Sequence, residues 1–226
     1  ISLTKAFKEI EILSQKETTI VRCGGGVGKA DFLEWALAHG LSGLEFSAGV
    51  PGTIGGGIFM NAGTKYGCYG DILKRFCLFD FEKGSRILNR EDAHFGYREQ
   101  SAVKGSLVAW TEFILTPGDK EKMRQEVDRI IAERAEKQPL DFPSCGSTFK
   151  NPEGFSAGRL IERAGLKGTR VGEAEISTKH ANFILNKGNA KARDILELIQ
   201  IAKNEVCKQF GVRLECEVII LGEPAL

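Results

Sequence analysis

Several short stretches of this chain have residue types and spacing that could do chemistry. The first is Gly49-Val50-Pro51-Gly52-Thr53-Ile54-Gly55-Gly56-Gly57, followed closely by Met60-Asn61-Ala62-Gly63. Pro51-Gly52 suits a tight turn, because proline fixes φ at the second position and glycine tolerates positive φ at the third. Thr53 can then cap a short helix, and bare backbone N–H groups in its glycine-rich first turn offer a seat for a diphosphate. The competing use of such glycines is close packing of a helix against a strand.

Cys145-Gly146-Ser147-Thr148-Phe149-Lys150-Asn151-Pro152 is the second stretch. Small residues around one hydroxyl on a proline-bounded loop present Ser147 with little cover. No G-x-S-x-G elbow and no supporting His or Asp spacing is present, so a proton donor is a better role for it than a nucleophile. In Phe95-Gly96-Tyr97-Arg98-Glu99-Gln100-Ser101, Arg98 either pairs with a nearby acid or grips a carboxylate or phosphate through two hydrogen bonds. Glu217, within Leu214-Glu215-Cys216-Glu217-Val218, either lies on a solvated strand face or turns a carboxyl toward a cleft. Gly24–Lys29 fails as a phosphate-binding P-loop, because Cys23 stands where its first glycine belongs and Ala30 where Ser or Thr belongs.

The elements that must position these residues follow from periodicity. Strands are expected over 18–23, 72–81, 85–88 and 107–115, with 44–48 extended and a helix over 29–39 stopped by Gly40. A charged helix over 119–137 sets Met123, Val127, Ile130 and Ile131 on one face, and Gln138-Pro139 breaks it. Beyond it come a loop through Pro152, a helix near 157–164 and strands near 170–176 and 182–185. A helix over 190–210 buries Ile195, Leu198, Ile199, Ala202 and Val206 and ends at Gly211. A final strand over 212–221 places Leu214, Cys216, Val218 and Ile220 on one face. The class is α+β, with one domain over 1–138 and a second over 139–226.

The 226 residues are 42% hydrophobic with a net charge of +1, which gives no electrostatic case for a nucleic-acid partner. No apolar run approaches membrane-spanning length. Cys23, Cys68, Cys77, Cys145, Cys207 and Cys216 show no C-x-x-C pair, so mostly buried, reduced thiols are expected in a cytoplasmic protein, without a metal site or disulfide framework. The chain begins at Ile1 rather than Met and is expected to lack its N-terminal part.

Taken in order, these stretches resemble the UDP-N-acetylenolpyruvoylglucosamine reductase family in its shorter form. The matching blocks run from Gly43-Leu44-Glu45, Val50–Gly56, Met60–Gly63 and Tyr97-Arg98 through Gly146–Pro152, Gly158–Ile161 and Ala164–Gly168 to Lys179-His180-Ala181-Asn182-Phe183. The resemblance implies a vanillyl-alcohol-oxidase-type FAD-binding domain followed by a smaller α+β substrate-binding domain. It implies NADPH-dependent reduction of a UDP-sugar enolpyruvyl ether in peptidoglycan precursor synthesis, by a monomer.

By position, the resemblance makes Arg98, Ser147 and Glu217 catalytic. Gly49, Val50, Pro51, Gly52, Thr53, Gly55, Gly56, Asn61 and Gly63 fall on the cofactor, and Tyr97, Lys137 and Asn151 on the substrate, with Arg134 as an alternative to Lys137. A second diphosphate loop of Gly-x-Gly-Ser-Asn type is expected before Ile1, within about 70 further residues if the flavin domain is of ordinary size. Ile219 stands where the family often has Arg. The alternatives are another FAD-dependent oxidase or dehydrogenase of the same fold, and a flavin-free binding module.

Overall fold

The computed structural model describes residue 3 and residues 5–222, which divide into two compact units, Ile1–Glu133 and Arg134–Leu226. In the first unit, β1 (Ile10–Gln15), β2 (Thr19–Gly24), α1 (Lys29–His39), α2 (Ile54–Phe59), β3 (Leu73–Asp80), β4 (Gly84–Asn89), β5 (Leu107–Pro117) and α3 (Lys120–Lys137) follow in order, α3 running on into the second unit. The strands form an antiparallel sheet in the order β1-β2-β5-β3-β4, and the short strand Leu41–Ser42 adds to the end of β5. In β2, Thr19, Val21 and Cys23 are buried while Ile20 and Arg22 are only partly so, the period of two that a one-sided sheet requires. Phe32 of α1 packs against Phe113 of β5 with ring centroids 5.3 Å apart. Gly40 ends α1 with φ +64°, and its N–H is donated to the carbonyls of Ala36 and Leu37.

The turn from β2 into α1 explains the glycines that imitate a P-loop. A Cβ on Gly24 would lie 1.9 Å from the Phe7 carbonyl oxygen, and one on Gly25 would lie 1.9 Å from that of Val108. Backbone passes over backbone here, and only glycine leaves room for it.

Other elements depart from expectation for local reasons. Residues 44–48 form a 3₁₀ turn at Glu45–Ser47 instead of an extended segment. The Glu45 carboxylate accepts hydrogen bonds from Ser42 Oγ and Gly43 N, both at 2.8 Å, and Ser47 Oγ donates to the Leu44 carbonyl, so side chains fold the backbone back. In α3, Met123, Val127 and Ile130 are buried, but Ile131 lies 44% exposed at the margin of that stripe.

In β5, Glu112 is fully buried on its strand. It accepts hydrogen bonds from Arg22 Nη2 at 2.7 Å and from Arg75 Nε at 2.6 Å. Burial alone would raise its carboxyl, but the two arginines outweigh burial and hold it below the ordinary 4.5. Its contribution to stability is therefore present above about pH 5 and is lost as pH falls through the depressed folded value. Glu112→Ala is expected to cost about 3 kcal/mol at pH 7, at the low end for a broken buried pair because both arginines keep access to water. Urea titrations of the two proteins should converge as the pH drops below 4; a constant gap would show that packing, not charge, is lost.

The second unit adds β6 (Ser144–Ser147), α4 (Ala157–Arg163), β7 (Arg170–Val171), β8 (Ala174–Ile176), β9 (Phe183–Asn186) and α5 (Ala192–Phe210). Its sheet runs β6-β9-β8-β7, all antiparallel. The strand expected over 170–176 is a hairpin, because Gly172 turns the chain at φ +53°. Leu198, Ile199, Ala202 and Val206 of α5 are buried and Ile195 is half-buried. Gly211 ends α5 at φ +70°.

The final strand expected over 212–221 does not form. Among the described residues it makes a single bridge, between Cys216 and Phe149, with the backbone hydrogen bonds on either side of it, because the chain beside it is an irregular loop. Leu214 is buried as expected, whereas Ile220 is 53% exposed. The cysteines also depart from expectation. Cys23 and Cys77 are buried, Cys68 and Cys216 are half-buried, and Cys145 and Cys207 are exposed, all six free.

Candidate active site

In the first unit the glycine turn is built as a corner. Gly49 and Gly52 take φ of +69° and +104°, values a side chain would strain. Lys29 N donates to the Gly52 carbonyl at 2.9 Å, tying the turn to the start of α1. Thr53 caps α2, its Oγ1 accepting from Gly56 N at 3.3 Å.

The first-turn amides of α2 are not bare. Ile54 N donates to the Val27 carbonyl and Gly55 N to the Gly25 carbonyl, each at 2.9 Å. The three glycines therefore do different work. A Cβ on Gly55 would meet Gly25 O at 2.9 Å, and one on Gly57 would meet Tyr69 Cε2 at 2.9 Å and Lys29 Cε at 3.1 Å. Both serve close packing. Gly56 is exposed, and a Cβ there would meet only Thr53 Oγ1, at 3.6 Å. Beside it opens a cavity of about 350 Å³ whose lining includes Gly25, Thr53, Gly55, Gly56, Phe59 and Val108.

Gly56→Ala is accordingly expected to fold with unchanged or slightly greater stability while weakening whatever sits on the turn. Gly57→Ala should destabilise by about 1–3 kcal/mol through overpacking. Thermal melting and ligand titration of the two variants separate these effects; equal behaviour of the pair would contradict this division of labour.

Asn61, at φ +40° and nearly buried, accepts from Gly70 N and donates Nδ2 to the Gly96 carbonyl, both at 2.9 Å. Its amide is engaged at both ends within the protein, so it shapes the site through the backbone it holds. Gly63 pairs with Cys68 in a short hairpin, and Val50 N donates to the Ser47 carbonyl at 3.0 Å. Gly96 leads into the turn Tyr97-Arg98, between the two-residue strands Phe95–Gly96 and Glu99–Gln100. Arg98 sits at φ +59° with its guanidinium 5.0 Å from the centroid of the exposed Tyr97 ring.

In the second unit a bulge aims Ser147. Ser144 pairs with Leu185 and Ser147 with Phe183, so three steps along β6 oppose two along β9. Gly146, inside that bulge, takes φ +77°. Asn182 then fixes the loop, accepting from Phe149 N at 3.0 Å and donating Nδ2 to the Phe149 carbonyl at 2.8 Å. The Glu217 segment lies alongside: Lys150 N donates to the Glu215 carbonyl and Glu217 N to the Thr148 carbonyl, each at 2.9 Å. Ser147 and Glu217 thus flank one short stretch of paired backbone, and both are half-buried. Asn151 Oδ1 accepts from Ala157 N at 3.0 Å, which joins this loop to the start of α4. Lys137 is exposed at the end of α3, and burial lowers the pKa of the nearby Arg134 guanidinium.

Among the described residues, no group of three or more His, Cys, Asp and Glu is arranged to hold a metal, and no helix is long and apolar enough to cross a membrane. Residues 138–221 match the C-terminal domain of UDP-N-acetylenolpyruvoylglucosamine reductase. The enzyme of that name from Agathobacter rectalis is 40% identical over 232 residues, covering 99% of this chain and 74% of its relative. The chain belongs to the UDP-N-acetylenolpyruvoylglucosamine reductase family.

The family member from Moorella thermoacetica is 43% identical over 191 residues, and this chain spans 63% of its length. The crystal structure of the reductase from Thermus caldophilus is 34% identical, with a TM-score of 0.80 over 93% of this chain and 73% of that one. An α+β fold of this reductase family follows. Two residues that sequence reasoning left unassigned now stand beside the family's motifs. Asn182 belongs to the Lys179–Phe183 block but betrayed no role until its amide was seen closing on Phe149. Lys29 was set aside with the rejected P-loop match and read only as the start of a helix.

Proposed function

We propose that this chain contributes to the reduction of the enolpyruvyl ether of UDP-N-acetylglucosamine to UDP-N-acetylmuramate in peptidoglycan precursor synthesis, with FAD as cofactor and NADPH as reductant. The observation that carries the reading is the backbone pairing in the second unit, which holds the loop after Ser147 against the segment that carries Glu217. Family membership supplies the substrate. The first unit is read as part of a vanillyl-alcohol-oxidase-type FAD-binding domain and the second as the substrate-binding domain. Six free thiols fit a cytoplasmic setting.

The residues present fit the cofactor in shape. Exposed Gly56 and the cap Thr53 line the cavity with little side-chain cover, a Cβ on Gly56 meeting only Thr53 Oγ1 at 3.6 Å, and exposed Gly52 lies just before them in the turn. Gly52, Thr53 and Gly56 would meet the diphosphate, while Gly49, Val50, Pro51, Gly55, Asn61 and Gly63 shape the wall behind them. Bound FAD would relay reducing equivalents from NADPH to the methylene carbon of the substrate.

The chain's own residues manage the charge and the proton. As the methylene carbon is reduced, negative charge develops on the neighbouring carbon and spreads into the carboxylate. Arg98 supplies a guanidinium for that charge, which a preorganised donor stabilises more in the transition state than in the ground state. The hydroxyl of Ser147 donates its proton to the carbanion-like carbon, a base strong enough to take it. Glu217 is the third group assigned to the reacting end of the substrate. Tyr97, Lys137 and Asn151 orient the UDP-sugar.

The test is anaerobic. The complete protein, reduced by NADPH, is mixed with the UDP-sugar enolpyruvyl ether and flavin absorbance is followed. Reoxidation with formation of UDP-N-acetylmuramate is expected, and a flavin that stays reduced would overturn the reading.

A further inference from the structure

We infer that Lys29 is a second cation of the candidate site, in addition to Arg98, seating an anionic oxygen at the glycine turn; this deepens the proposed function and rests on it.

Lys29 is the first residue of α1 and is only 6% exposed. Its stem crosses the bare face of Gly57, with Cε 3.1 Å from where a Cβ would stand, and its ammonium lies 6.0 Å from the centroid of the Tyr69 ring. Nζ donates one hydrogen bond, to the Pro51 carbonyl at 3.1 Å. An ammonium has three donors, and among the described residues no carboxylate pairs with this one. The charged group nearest in effect is Arg98, another cation. Burial first, and then the repulsion of Arg98, push the ammonium down to about 8.

A buried charge without a counter-charge is costly, and a protein that only needed to brace Pro51 could do so with a neutral donor. An ammonium held in the interior with no carboxylate on it leaves a place for an anion. The place is defined by Gly52. A Cβ there would lie 3.7 Å from Lys29 Nζ, so any group resting on its exposed, bare face meets the ammonium across a gap that every other residue would fill. The ligand chemistry is a phosphate or carboxylate oxygen, with two sources: the diphosphate of the dinucleotide, or the carboxylate of the enolpyruvyl substrate.

Lys29→Gln keeps a donor for Pro51 and removes the charge, while Lys29→Arg restores charge. The complete protein is titrated with FAD by fluorescence, and its KM for the UDP-sugar is measured at saturating FAD. If the diphosphate is the anion, Lys29→Gln should weaken FAD about 30-fold, the fold-change for removing one member of a desolvated charge pair. If the carboxylate is the anion, FAD affinity should hold while the KM for the UDP-sugar rises by a similar factor. Lys29→Arg should recover much of either loss. Melting temperature is read in parallel, and removal of an uncompensated buried charge should leave it level or raise it. Lys29→Gln with both affinities unchanged would overturn the assignment, as would a lowered melting temperature with both affinities intact. A wild-type protein that neither binds FAD nor turns over the UDP-sugar would instead overturn the proposed function beneath it.

Discussion

Ser147→Ala is expected to leave NADPH-dependent reduction of the flavin at its wild-type rate. It should slow reoxidation by the UDP-sugar on the order of 10²–10⁴-fold, the span of a positioned general acid. The fold should survive intact, because the loop is held by backbone pairing and by the amide of Asn182 rather than by the serine hydroxyl. Stability within about 0.5 kcal/mol of wild type is the matching expectation. The aim of the hydroxyl depends on the bulge, so Gly146→Ala offers an independent route to the same loss. A methyl group there meets nothing within 4 Å, yet φ of +77° strains any side chain, and relaxing that strain re-aims Ser147. Stopped-flow traces of the two half-reactions decide the matter: equal slowing of both in Ser147→Ala would remove the serine from proton transfer.

Much of this architecture was legible in the sequence, and the parts that were not share a cause. Helix α1 was expected at its observed ends, because a five-residue apolar stripe and a glycine stop are local signals that need no partner. β3 and β4 were likewise expected, to within one residue at each end. The segment 212–221 alternates as a strand should, but whether it forms one depends on the edge it meets, and its neighbour is a loop that accepts only one bridge. Alternation reports on side chains and says nothing about the partner's backbone. The 3₁₀ turn at Glu45–Ser47 was hidden for the opposite reason, since side-chain hydrogen bonds across three residues override an apolar run.

The candidate site divides in the same way. The special backbone at Gly52 could be named from the sequence, because a turn after proline selects glycine for its positive φ, whereas Gly49 and Gly146 take that region without a local signal that named them. The job of each glycine could not be named. Gly55, Gly56 and Gly57 read as equivalent, yet two face a neighbour's atoms and one faces open space, a distinction set entirely by what the fold brings alongside. Asn61 looked like a ligand contact and turns out to join Gly70 to Gly96. Lys29 belongs only to a failed P-loop match.

Arg98 gives the sharpest conflict between stability and function. At φ +59° it occupies a region that costs a non-glycine residue about 1 kcal/mol or more, and neither neighbour in the turn is a glycine that could take the strain instead. Arg98→Gly should therefore hold or gain up to about 1 kcal/mol in stability, the relief of strain being offset in part by the greater freedom of glycine in the unfolded chain. The same substitution removes the guanidinium proposed to meet the developing enolate, for which a loss of about 10²–10³-fold in flavin reoxidation is expected. Arg98→Ala keeps the strain and loses the charge, so its activity should match Arg98→Gly while its stability does not. Arg98→Lys keeps a charge but not the two-pronged grip, and should fall between wild type and the other two in activity. Urea midpoints set against reoxidation rates for the four proteins test both halves together. A guanidinium that only stacks on Tyr97 at the surface predicts the reverse pattern, with unchanged rates throughout and small differences in stability alone. Slower reoxidation beside level or higher stability in Arg98→Gly would mark a residue held at a strained angle for what its side chain does to the substrate.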